Sequence, residues 1–437
     1  MKSPKTYVLI AVGVLAAVNS CSAKPAAPKV ERLTLDNGLR VVVLPVAGSK
    51  HVSIFTFLPM GLAADGPGQA QWSHLVEHLV IRSTIPAGSR QANAETLPDH
   101  MRLDFYGSVD NWREGLSHHA RWLAGVPFGR KSLAAEKANV LTECDAVARN
   151  FATHKFAMAA WAQGCRHASK HAALKADVTR ARLEQIQRYR DNHLAVLPKA
   201  LVCVVGGVNI KTLKPAVAKR LGTIRSSAKA PEPVKLEHAD RDMTWDLDAR
   251  HLVLTWPIPS LDQPDHPALM AAGGVLAQRL LGDTELKKMT GVALAGTDLV
   301  TPEGSFFYVS ACLRPGASFD EVSKKIHSHL QQIRAQPADW NAAAMLGRQL
   351  ATTLRQPPDI AAIRDRAPTG ISAAMMEGNL GLQWGMQEFR YGAHRQVLAG
   401  RLAALNAQQV QKAVNTHLAE HKCARCTLRP AEPTKQK

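Results

Sequence analysis

The stretch QWSHLVEHLV, residues 71–80, constrains this chain more than any other, because it sets His74, Glu77 and His78 into an otherwise apolar run. In a helix, residues four apart are separated by about 40° of rotation and residues three apart by about 60° the other way, so these three side chains share one face. Two imidazoles at that spacing can chelate one ion. The carboxylate between them is then left for a separate task, the transfer of a proton. The chain has 18 histidines, and a packed helix carrying polar residues without a metal is the competing reading. A further ligand decides between the two.

Residues 132–147, SLAAEKANVLTECDAV, offer Glu136 and Glu143, seven residues and so two helical turns apart on one face. Either can reach an ion held by a neighbouring helix; the alternative is a pair of solvent-facing carboxylates. Zinc suits such a donor set, because it accepts neutral imidazole nitrogen and carboxylate oxygen in a tetrahedral shell and leaves one position to water at catalytic sites. Glu77 is placed to take a proton from that water and pass it to a leaving amine.

The chain is long enough for two or three domains, and its 46% hydrophobic and 21% charged content is that of a globular protein with a large core. Residues 1–23 carry Lys2 and Lys5 before an uncharged apolar run and then small residues, the layout of a secretory signal. Export to the periplasm or beyond is expected, with Cys21 as a possible lipid anchor in a lipoprotein-like VNSC box. The other six cysteines are too few for a disulfide scaffold, and Cys423 and Cys426 read as a local disulfide or two unrelated thiols. Of the net charge of +18, residues 110–225 hold +12, from 20 basic against 8 acidic side chains. On an exported protein this favours anionic surfaces or acidic peptides over nucleic acid as partners.

Element order predicts an α+β fold. VERLTLDNGLRVVVLP reads as a hairpin turning at Asn37-Gly38, followed by a strand near 51–58, the metal-type helix, helices at about 111–124, 131–163 and 179–193, a strand at 200–208 and a helix at 211–221. Residues 226–235, SSAKAPEPVK, form the linker. A similar order then repeats, so two α+β domains are expected, at 30–225 and 236–430. His118, His119, His167 and His171 are expected to be exposed helix histidines, and Trp161, Trp245, Trp256 and Trp384 to fill cores.

These residues resemble the pitrilysin/insulinase family of inverted zinc peptidases, named for the H-x-x-E-H order. LDNGLRVVVLP is similar to the family's opening hairpin, GLAADGPGQAQWSHLVEHLVIRST to its Gly-led loop and metal helix, EKANVLTE to its E-x6-E segment, and NHLAVLPKALVCVVGGVN to the closing strand of its first domain. WPIPSLDQPDHPAL and GSFFYVSACLRPG resemble strands of its noncatalytic repeat. The resemblance implies two homologous domains, one zinc per chain bound by His74, His78 and Glu143, Glu77 as general base, and Glu136 as a supporting carboxylate. It further implies a zinc endopeptidase or oligopeptidase acting on extended or unfolded peptides, enclosed by a dimer.

The segment TELKKMTGVALAGT departs from the family pattern. Members that complete the active site from their second domain show an Arg and a Tyr there; this chain has Lys287, a candidate substrate-binding residue, and Leu294. A Leu cannot hydrogen-bond a tetrahedral intermediate as a phenol can. The expectation is therefore the metal-bearing subunit of a heterodimer whose sister subunit carries the Arg/Tyr pair. The alternative is a noncatalytic member acting as a structural or assembly subunit.

Overall fold

A computed structural model describes residues 29–86, 88–194, 196–226, 236–297, 300–301, 304–364 and 372–432. The signal over residues 1–23, Cys21 and all but the first residue of the linker lie outside the described residues. The described residues form thirteen strands: β1 Glu31–Thr34, β2 Arg40–Pro45, β3 His51–Leu58, β4 Ala92–Thr96, β5 Met101–Ser108, β6 His171–Ala172, β7 Leu201–Gly206, β8 Arg241–Trp245, β9 Arg250–Ile258, β10 Thr290–Gly296, β11 Val300–Thr301, β12 Gly304–Leu313 and β13 Ala424–Pro430. They form two sheets with helices packed on both, the α+β arrangement expected.

The first sheet has the order β1-β2-β7-β3-β5-β4. Strands β2 and β7 pair in parallel, and the other neighbours are antiparallel. Its central strands, RVVVLP, HVSIFTFL and LVCVVG, are nearly continuous apolar runs because both faces are covered. Val41, Val43, Ile54, Leu103 and Val204 face one core, while Val42, Leu44, Phe55, Phe57 and Val205 face another. The second sheet runs β10-β12-β9-β13-β8-β6, with β11 beside β12.

The two chain halves exchange cover. Helix Ala373–Tyr391 packs on β3 and β7 of the first sheet, and helix His154–His167 packs on β9 and β12 of the second, where the Trp161 and Phe306 rings lie 5.1 Å apart, edge to face. Strand β6 likewise joins the second sheet, in parallel with β8. Close approach of helix 373–391 needs glycine: a Cβ on Gly381 would lie 2.8 Å from the Val205 side chain. Among the described residues, no helix is long and apolar enough to cross a membrane.

Several local expectations are corrected. The single helix expected at 131–163 is two, Arg130–Arg149 and His154–His167, broken at Phe151, whose φ of 56° no α-helix accommodates. The helix expected at 179–193 is also two, Leu174–Arg180 and Leu183–His193, because Arg182 is extended. Of the two alternatives for Cys423 and Cys426, the structure has the free thiols and not the local disulfide. His119 is fully buried rather than exposed, with Nδ1 2.6 Å from the Thr56 hydroxyl. The four tryptophans named above are all buried.

Burial holds the His119 imidazole neutral down to about pH 3, far below its ordinary 6.5. The unfolded chain therefore takes up this proton first. Stability from neutral His119 is complete above about pH 6.5 and declines as the pH falls towards 3, by up to about 1.4 kcal/mol per pH unit. Denaturant unfolding at pH 7 and pH 5 should show His119→Gln losing less stability over that interval than the unsubstituted protein. Gly381→Val should destabilise by about 1–3 kcal/mol, through the displaced helix, in the same assay at pH 7.

Candidate metal centre

Helix Trp72–Arg82 is fixed at its start by a buried carboxylate. Asp65 accepts from the Ser73 amide at 3.1 Å, from the Ser73 hydroxyl at 3.2 Å and from the Tyr189 phenol. Two donor groups at the N-terminus of the helix are thereby satisfied by an anion, where the helix dipole favours one. Burial nevertheless pushes the Asp65 carboxyl up to about 7 against those donors. Just before the helix, Gln71 adopts a left-handed conformation, φ 67°.

That turn matters to the first imidazole. The Gln71 side-chain oxygen lies 2.9 Å from His74 Nδ1. The Glu136 Oε2 lies 3.0 Å from His78 Nδ1 and also accepts from Asn139 Nδ2 at 2.9 Å. An oxygen acceptor on each Nδ1 places the ring proton there and turns both Nε2 lone pairs to the other side. Both meet Glu143: His74 Nε2 is 3.3 Å from one carboxylate oxygen and His78 Nε2 is 3.6 Å from the other. The two rings stand nearly perpendicular, with centroids 4.9 Å apart. One donor atom from each of the three residues falls within 4.8 Å of the others.

These separations suit a small tetrahedral cation. Zinc binds imidazole nitrogen and carboxylate oxygen at about 2.0–2.2 Å, which gives a tetrahedron edges of about 3.3–3.6 Å. The charges suit it too. Burial opposes protonation of His78, but Glu136 and Glu143 outweigh it and raise the imidazole to about 10. Burial also opposes ionisation of Glu143, and the two imidazoles reverse this, holding it well below the usual carboxylate range. His74, almost completely enclosed, is shifted down by burial. Between the rings the protein thus asks for positive charge, which a proton on His78 supplies when no ion does.

Glu77 is buried on the same helix and stands outside this trio of donors. Its Oε2 accepts from the hydroxyl of Thr96, the last residue of β4. Glu143 is the exposed member of the centre, its side chain 53% accessible against 4% for His74. Lys287 lies exposed on helix Thr284–Met289, and Leu294 sits in β10 opposite Ser310. Among the described residues, no hydrogen bond or ion pair joins Lys287 to the centre.

Sequence reasoning did not find Gln71, Thr96, Asn139 or Asp65. Gln71 is three residues before His74 and Asn139 three after Glu136, so helical spacing carried a signal for both. Thr96 ends NAET, residues 93–96, which resembles the family's N-A-x-T stretch, but its contact with Glu77 forms only through the pairing of β4 with β5.

Residues 180–345 match the peptidase M16 inactive domain. No curated protein matches the chain in sequence. Among solved structures, a protease from Helicobacter pylori superposes with a TM-score of 0.66 at 19% identity, over 92% of this chain and 100% of that one. A chain of complex III2 from Candida albicans gives 0.61 at 12% identity, over 91% and 95%. Pitrilysin gives 0.58 at 14% identity, over 96% of this chain and 46% of its own. The chain has the mixed α/β, two-sheet fold of the pitrilysin-like M16 peptidases.

Proposed function

We propose that this chain is an exported zinc-dependent endopeptidase or oligopeptidase that hydrolyses peptide bonds in extended or unfolded peptides. The carrying observation is the convergence of both histidine Nε2 atoms on Glu143 at separations that fit a tetrahedral ion. His74, His78 and Glu143 are the ligands in this reading, with one zinc per chain. When bound, zinc supplies a Lewis acid and lowers the pKa of water to about 7. Gln71 and Glu136 hold the two imidazoles in the tautomer that presents Nε2.

Glu77 is the general base. Thr96 engages its Oε2, and the remaining oxygen is left to accept a proton from the attacking water and return it to the departing amine. Glu143 leaves the open side of the centre to the peptide. We further propose that the functional unit is a dimer, in its simplest form a heterodimer whose sister subunit brings the Arg/Tyr pair that Lys287 and Leu294 do not supply. The match to pitrilysin over less than half of that chain supports a pairing of two such units. A noncatalytic assembly subunit is the second reading, favoured by the description of the matched domain as inactive and by the likeness to a complex III2 chain.

Metal analysis and peptide cleavage followed by mass spectrometry separate these readings. The purified mature protein should hold one zinc, and Glu77→Gln should hold it equally. Cleavage of unstructured peptides, with the sister subunit if it is needed, should fall by at least about 10²–10⁴-fold in Glu77→Gln. Full cleavage by the homogeneous protein would remove the sister subunit from the proposal. Bound zinc without cleavage under either condition would favour the assembly reading. Glu136→Ala should lower zinc affinity about 10–100-fold in a chelator competition, because His78 loses the acceptor that orients it.

A further inference from the structure

Far from the histidines in sequence, the face of the first sheet beneath helix 373–391 carries three guanidiniums around one carboxylate. Strand pairing sets Arg32 opposite Val42 and Thr34 opposite Arg40, so Arg32 and Arg40 share the sheet face of Val42 and Leu44. Glu388 projects from the last turn of helix 373–391, and Arg395 opens the next helix, Arg395–Ala403. Arg32 grips Glu388 through Nη2 at 2.5 Å and Nε at 3.3 Å. Arg395 donates to the same carboxylate through Nη1, and its guanidinium carbon lies 3.3 Å from the centre of the Trp384 ring.

Glu388 then accepts three of the roughly four hydrogen bonds a carboxylate can take, but the donors are left short. Arg395 is 2% exposed, and its Nε and Nη2 are buried with no hydrogen-bond partner among the described residues. The Nε of Arg40 is in the same state. Three positive charges face one negative charge, an excess of two. A guanidinium does not shed its proton near neutral pH, so the excess persists. Burial depresses Arg395 to about 10, with Glu388 opposing it, and lowers Arg40 in the same way. Buried charged donors without acceptors are costly and rare in folded proteins, and an unseen ion is a standard reason for them. Beside them, Gly392 packs close to Arg40: a Cβ there would stand 3.2 Å from Arg40 Nη1 and press on that guanidinium.

We propose that Arg40 and Arg395 bind a small tetrahedral oxyanion, inorganic phosphate or sulfate. Its double charge matches the excess of two, which a carboxylate would only halve. Guanidinium forks bind such oxygens in a bidentate manner. The anion would tie the β1-β2 edge of the first sheet to the junction between two helices of the chain's second half, so its effect is structural and independent of zinc or peptide.

The test is titration of the full mature chain with inorganic phosphate, and separately with sulfate, at ionic strength held constant with chloride. Melting temperature and isothermal calorimetry are the readouts. The expected result is a saturable rise in melting temperature with one anion bound per chain, weakened at least about tenfold in Arg40→Gln. The Arg40 side chain makes no hydrogen bond among the described residues, so this variant removes an anion donor without breaking the Glu388 ion pairs. A response to phosphate and sulfate no larger than that to chloride would overturn the proposal. An equal saturable rise with acetate, or undiminished phosphate binding by Arg40→Gln, would overturn it as well.

Discussion

A half-exposed carboxylate held between two nearly buried imidazoles is the interaction around which the first half of this protein is arranged. Glu143 comes from one helix and the histidines from another, so the three donors converge only because helices 72–82 and 130–149 pack side by side. Each helix has its own restraint. Asp65 ties the start of the first to Tyr189, and Asn139 helps Glu136 hold the second against His78. A displacement of about 1 Å between the helices would spoil the fit to a small cation, which makes these supports as necessary as the ligands themselves.

The sequence carried the histidine face plainly because its information is local: a helix fixes the relation of residues three, four and seven apart, whatever the rest of the chain does. The hairpin at Gly38, the strand at 51–58 and the metal-type helix were readable for the same reason. Strands β4 and β5 were not placed: MRLDF, residues 101–105, alternates apolar and charged residues but is short, and β4, ANAET, has only alanines at its apolar positions. Their register brings Thr96 beneath Glu77. The break at Phe151 was also hidden: no Gly or Pro marks it, and the chain turns there on a non-glycine residue with positive φ. His119 read as exposed because the chain has 18 histidines and no carboxylate stands at matching spacing; its hydrogen-bond partner, Thr56, lies on a strand far away in sequence.

The exchange of helices between the sheets ties the two halves of the chain together. Helix 373–391 supplies the second cover of the first sheet, and without it Val42, Phe55, Phe57 and Val205 would form an exposed apolar face. Helix 154–167 does the same for the second sheet while placing Phe156 against the His74 ring at 6.2 Å. One helix thus contacts the metal centre at one point and the opposite sheet at others, so the position of His74 is coupled to the packing of the second sheet.

That coupling bears on the word inactive in the description of the matched domain. The match covers residues 180–345, which begin after Glu143 and contain none of His74, Glu77, His78 or Glu136. The description therefore applies to a stretch that holds β7 of the first sheet, Tyr189 and most of the second sheet, and that contributes no donor atom to the centre. What that second part does lack is a phenol at Leu294, and in β10 this side chain pairs opposite Ser310 within the sheet. In the peptidase reading proposed above, a hydrogen-bond donor for a tetrahedral intermediate must then come from elsewhere. Exposure places Glu143 on the open side of the centre, so in that reading the missing donor would belong with a surface that closes over Glu143.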